Sequence, residues 1–269
     1  MSVDITFEER QQIGLEILDE INRVCTILNL RYYLAYGTLL GAIRHDGFIP
    51  WDDDIDIWMS REDYIRFNRE FNNAASKDFK LLTYYEDENY PFLAPKVVSM
   101  KTEVVEKLMK PVKDLGIWVD IFPMDYVDQK TLTDTKELTR LEHRRWMALY
   151  RVSTMGAKIK LFFYNLIQRD TKWSDRNEKP GHISRELNEL SCNMDYTDKI
   201  FCPGSEGDLK IILDSVDFKN TVNHKFEDRV YPIPAGFDDI LNKIYGEYMT
   251  PPPVNKQKRA KHLKVAKWK

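Results

Sequence analysis

Residues 54 to 58 read Asp-Ile-Asp-Ile-Trp, and this alternation constrains the fold more than any other short stretch. On a β-strand successive side chains point to opposite faces, so Ile55 and Ile57 share one face while Asp54 and Asp56 share the other. The isoleucines then need a hydrophobic layer beneath them. The two carboxylates stand about 6–7 Å apart at the backbone on the opposite side. The segment predicts a sheet with one face on a core and the other carrying concentrated negative charge.

What precedes the strand narrows the reading. "YYLAY" at 32–36 reads as a short buried strand ending at Gly37, and Thr38 to Arg44 reads as a short helix. Free backbone N–H groups at such a strand-to-helix turn attract phosphate. Carboxylates as close as Asp54 and Asp56 repel unless protons or a cation intervene, and Mg²⁺ takes oxygen ligands from one or two carboxylates plus substrate phosphates. Gly37-Thr38 on one side and the acids on the other therefore outline a metal and nucleotide-phosphate site. A third acid is expected from "IWVDIFPMD", where Asp120 lies between Val119 and Ile121 inside an apolar strand, a costly place for a carboxylate with no partner. Asp125, beyond Pro123, is read as a turn residue. Asp52 and Asp53 are read as residues of the entry turn.

Taken together, Gly37-Thr38 followed by Asp54-Ile-Asp56-Ile resembles the signature of the nucleotidyltransferase fold. The longer string "YGTLLGAIRHDGFIPWDDDIDIWM" at 36–59 resembles the LicD branch of the LicD/fukutin family, with echoes in "WVDIFPMD" at 118–125 and in 226–253. The resemblance implies transfer of phosphocholine from CDP-choline to a sugar hydroxyl on a glycan or lipid-linked precursor of teichoic acid or lipopolysaccharide. It implies that Asp54 and Asp56 bind a metal, Mg²⁺ or Mn²⁺, and that Asp120 serves as third ligand, general base, or both. A nucleotidyl, ribitol phosphate or glycerol phosphate unit is the alternative group transferred, and a non-catalytic nucleotide- or glycan-binding module is the reading from another class. Arg44 and Lys96 are the candidate cationic contacts to phosphate. A choline head cannot donate hydrogen bonds and is normally held by aromatic faces; Trp51, beside the acids, is the first candidate, ahead of Trp58, Trp118, Tyr84, Tyr85 and Tyr90.

The rest of the chain fits an α+β architecture, a mixed sheet with packed helices and an appended helical region. Thr6 and Glu9 have capping-box spacing ahead of an apolar stripe from Ile13 to Leu28, which predicts a helix over 7–29. Helix is also expected over 61–71, 136–152 and 236–249, strands at 79–85, 93–100, 102–108 and 116–122, and a strand and turn at 226–234. The working division is a catalytic core at 1–130, a helical insertion at 131–220 and a C-terminal segment at 221–269 packing back on the core.

Net charge is only −3, so the chain has no overall polycationic character for nucleic acid and any charged site must be local. Cysteines at 25, 192 and 202 are too few and unpaired in spacing for a disulfide framework or a structural zinc, which points to the cytoplasm. No signal peptide and no apolar run long enough to span a bilayer is evident. Residues 143–169 mix basic and apolar side chains; an ordinary helical layer is expected there, with peripheral association at the inner membrane face as the alternative. The final stretch, 255–269, carries seven Lys or Arg and no acid, and is expected to be a solvated tail.

Overall fold

The computed structural model describes residues 3–106, 109–127, 144, 148, 154–156, 159, 178–192, 195–202, 211–259 and 263–269. The helical stretch expected at 136–152 and the amphipathic stretch 143–169 lie almost wholly outside the described residues. Among the described residues no helix is long and apolar enough to cross a membrane.

The architecture is α+β. Its main sheet runs β1 (Tyr33–Leu34), β2 (Asp56–Ser60), β6 (Trp118–Tyr126), β4 (Lys96–Ser99) and β3 (Phe79–Leu82). β2 and β6 are parallel and the other neighbours antiparallel, so the sheet is mixed. At the far end of β6, β7 (Lys199–Phe201) pairs with Asp125 and Tyr126, and β8 (Ile212–Asp214) pairs with β7. A hairpin of β9 (Thr221–Phe226) and β10 (Arg229–Pro234) stands apart as a second sheet.

α1 (Phe7–Leu28) begins with the capping box read from the sequence: Glu9 N–H donates to Thr6 Oγ1, and Thr6 N–H donates to Glu9. Its apolar stripe lies on the sheet, where Gly14 allows Ile55 to approach closely. α3 (Arg61–Ala74) starts at Ser60, whose hydroxyl accepts from Asp63 N–H, and buries Tyr64, Phe67 and Phe71. Ile57, Val97, Val119 and Ile121 of the central strands, and Ile55 just before β2, are fully buried.

α2 (Tyr36–His45) carries the Gly-Thr pair and is held by the loop that follows it. A side chain at Gly41 would meet the Gly47 carbonyl oxygen at 2.4 Å, so only glycine lets that loop turn back toward β2. α5 (Phe237–Tyr245) packs against α2, and Arg44 of α2 donates to the Tyr248 carbonyl at 2.7 Å. α4 (Pro180–Ser191) is the remaining long helix described.

Four expectations change. The first strand stops at Leu34, and Tyr36 opens α2 with φ of 42°, a left-handed backbone rare for an aromatic residue. T-shaped contacts with Trp58 and Phe122, at centroid distances of 4.8 and 5.3 Å, hold it there. The strand carrying the acids begins at Asp56, so Asp54 lies in the approach to it rather than within it. Asp125 is no turn residue: β6 runs through Pro123 and buries Asp125 against Arg61. The basic terminus is not a free tail, since β11 (Leu263–Trp268) pairs antiparallel with β5 (Thr102–Glu106).

Candidate active site

The site follows from strand register. Parallel pairing sets Asp56 opposite Asp120, and antiparallel pairing sets Lys96 opposite Asp120, so three charged residues stand abreast on adjacent strands. Residues facing one another across strands share a face of the sheet, and here that face is the one turned away from Ile55 and Ile57.

Each carboxylate oxygen of Asp120 receives one donor. Lys96 Nζ meets Oδ1 at 2.6 Å and the Trp118 indole N–H donates to Oδ2 at 2.8 Å. Burial pushes its carboxyl above the usual range, while Lys96 and Trp118 pull it back. Lys96 is itself buried, its ammonium 4.2 Å from the Trp118 ring centre and 4.5 Å from that of Phe92.

Asp56 is fixed by its backbone, whose N–H donates to Thr38 Oγ1 at 2.9 Å. Thr38 thus joins the helical turn to the first residue of the acid strand. Burial raises the Asp56 carboxyl well above its ordinary value, and the charges of Asp54 and Asp120 raise it further against the opposing effect of Lys96. Thr38→Val should leave a buried N–H without an acceptor and lower stability by about 1–3 kcal/mol, read from the urea midpoint, with Thr38→Ser restoring most of it.

Two residues join the cluster that sequence reasoning had passed over. Asp52, read as part of a turn, is pushed up to about 8 by burial, by its hydrogen bond with Asp54, and by the charges of Asp54 and Asp53. Its Oδ2 would lie 3.2 Å from a Cβ at Gly37, so Gly37 leaves room for this carboxylate. Asp53 turns away to an ion pair with Arg10 at 3.1 Å. Tyr245, the last residue of α5, is 42% exposed as a residue, and desolvation of its phenol together with the charges of Asp56, Asp52 and Asp54 raises its proton affinity. The only sequence signal for it was the loose family echo at 226–253.

Arg44 gives one donor to Tyr248 and another to His45 Nε2 at 3.0 Å, which ties the end of α2 to the segment after α5. Trp51 is partly buried and meets His45 edge-on at 6.3 Å. Trp58 is fully buried among Tyr36 and Phe218, which removes it from the aromatic candidates; Tyr84 and Tyr90 are buried as well.

Among the described residues no three of His, Cys, Asp and Glu form a ready-made cation cage. Mg²⁺ does not require one, because it binds through one or two carboxylates and completes its shell with water and substrate phosphate. The donor set suits it: hard oxygens from acids that raise one another's proton affinity. Such mutual repulsion is relieved by a proton or a cation.

Residues 29–154 match the model of the LicD/FKTN/FKRP nucleotidyltransferase domain. The chain is 27% identical to the lipopolysaccharide cholinephosphotransferase LicD of Haemophilus influenzae over 274 residues, which cover 94% of this chain and 95% of that protein. A shorter match, 40% identical over 62 residues, joins it to an uncharacterized protein of Rickettsia typhi, covering 23% of this chain and 20% of that one. The human ribitol 5-phosphate transferase FKRP is 53% identical over 34 residues, 13% of this chain and 7% of its own length. Residues 29–154, with the acid strand, the Gly-Thr turn and Asp120 all inside them, carry the nucleotidyltransferase domain of the LicD/FKTN/FKRP family, and the LicD cholinephosphotransferase aligns along nearly the whole chain.

Proposed function

We propose that the chain transfers phosphocholine from CDP-choline to a sugar hydroxyl of a lipopolysaccharide or teichoic acid precursor, releasing CMP. Transfer of a phospho group is common to the names of two relatives, a cholinephosphotransferase and a ribitol 5-phosphate transferase. The choice of phosphocholine rests on the relative aligned along nearly the whole chain. The observation that carries the chemistry is the row Asp56, Asp120 and Lys96, two acids and a cation abreast beside the Gly37-Thr38 turn.

The acceptor oxygen attacks the phosphorus that bears choline. A new O–P bond forms as the bond from that phosphorus to the CMP oxygen breaks, and CMP leaves with the bonding pair. The hydroxyl proton goes to a carboxylate of the cluster that does not hold the ion, and Asp52, pushed up to about 8, has the raised proton affinity this step uses. Lys96 places a positive charge beside the acids, and Arg44 places a second at the end of α2. Asp54, Asp56 and Asp120 would hold a divalent ion, Mg²⁺ or Mn²⁺, which when bound neutralises diphosphate charge. Trp51 is the aromatic face assigned to the choline head.

The test is to incubate purified protein and Mg²⁺ with CDP-choline, CDP-ribitol, CDP-glycerol or a nucleoside triphosphate, with saccharide acceptors. CMP release and acceptor labelling with CDP-choline, lost on adding EDTA, are expected. Turnover of another CDP-alcohol instead would change the group transferred, and no turnover with any donor would leave a binding module.

A further inference from the structure

We propose that Trp118, backed by Phe92, is a positioning residue that fixes both members of the Lys96–Asp120 pair; its consequence for catalysis rests on the transferase reading above. One indole touches both partners. Its N–H donates to Asp120 Oδ2 at 2.8 Å, and its face lies 4.2 Å from Lys96 Nζ, while the pair itself closes at 2.6 Å.

The arrangement follows from register. Trp118 and Asp120 are two apart on β6 and therefore share a face. Antiparallel pairing places Val98 opposite Trp118 and Lys96 opposite Asp120, so Lys96 is the diagonal neighbour of Trp118 across the strands. Diagonal neighbours lie within reach of an aromatic side chain. Phe92 closes the other side, its ring 4.5 Å from the ammonium and 6.3 Å from the Trp118 ring.

A tryptophan that only filled space would need neither contact. A buried carboxylate oxygen without a donor is costly, so the N–H selects one Asp120 rotamer. Ring faces attract an ammonium without fixing its donors to one direction. The box therefore confines Lys96 to the site face while leaving it able to turn toward an incoming phosphate. Arginine would not replace it, since a planar guanidinium differs in shape and donor geometry.

The experiment is a double-mutant cycle with a spectroscopic arm. Trp118→Phe keeps a ring under Lys96 and removes the N–H, while Lys96→Met removes the cation. Trp118→Phe is expected to lower kcat per folded molecule by about 10–100-fold, the usual cost of a group that orients a ligand, with donor KM little changed and a small fall in melting temperature from the unpaired Asp120 oxygen. Combined with Lys96→Met, it should add much less than its single effect, because both act through one pair. Fully additive losses, or an activity loss that tracks unfolding, would overturn the proposal. In the ¹H–¹⁵N spectrum the indole resonance lost in Trp118→Phe should move in Asp120→Asn. A resonance that stays in place means that the indole does not hold Asp120 and also overturns it. If wild type turns over no donor, the transferase reading fails on its own, and the indole resonance still decides what Trp118 holds.

Discussion

Asp56→Asn is expected to lower kcat/KM by roughly 10²–10⁴-fold while leaving the protein as stable as wild type or more so. The loss follows from position. Asp56 opens β2 opposite Asp120, and its carboxyl meets the charges of Asp54, Asp120 and Asp52. An amide there cannot offer an anionic oxygen to a cation. The gain follows from the same crowding, since removing one of several buried like charges relieves repulsion.

The pH dependence gives that gain a sign. The folded-state pKa of Asp56 is raised well above the ordinary carboxyl value, and that of Asp52 is raised to about 8. An unfolded chain releases these protons near pH 4, so between about pH 4 and pH 8 the folded state binds more protons than the unfolded one. Stability contributed by the protonated groups is therefore complete at low pH and is lost as pH rises. Without added divalent ion, the wild-type urea midpoint should fall from pH 5 to pH 8, and Asp56→Asn should fall less. Adding Mg²⁺ at pH 8 should raise the wild-type midpoint more than that of the variant. A variant that unfolds early at every pH yet keeps full activity per folded molecule would make Asp56 structural.

Local pattern carried much of this site. The alternation at 54–58 named the core face and the charged face correctly, since Ile55 and Ile57 are fully buried, although the hydrogen-bonded strand starts only at Asp56. The capping box fixed the start of α1 for the same reason, because its partners lie three residues apart. What stayed hidden depended on distant partners. Asp52 looks like any acid in a turn until Gly37 is seen to leave space beside it. Tyr245 comes under the charge of these acids because α5 packs on α2. The basic terminus reads as soluble tail until β5 is placed next to it, where Lys267 pairs with Glu103 across the strands. Trp118, one of several aromatic candidates for choline, turned out to serve Asp120, a role set by the register of β4 on β6.

Arg61→Met is expected to destabilise the fold by about 3–5 kcal/mol while activity per folded molecule survives. Asp120 and Asp125 sit in one motif, but their separation of five residues is odd, so on a strand they point to opposite faces. Asp120 faces the charged site. Asp125 faces α3, where Arg61 Nε donates to its Oδ1 at 2.6 Å and Nη2 engages its Oδ2, with side-chain exposures of only 2% and 1%. Arg61 also donates to Asn188 of α4, whose amide reaches the Tyr85 hydroxyl at 2.8 Å, so one guanidinium ties together α3, the end of β6 and α4. Removing it strands a buried carboxylate, which accounts for the size of the loss. The double variant Arg61→Met/Asp125→Leu should recover most of the stability, because the charge and its partner leave together. Urea unfolding of the two singles and the double measures the coupling. A double variant no better than the singles would mean that the pair is needed for packing α4 rather than for neutralising charge.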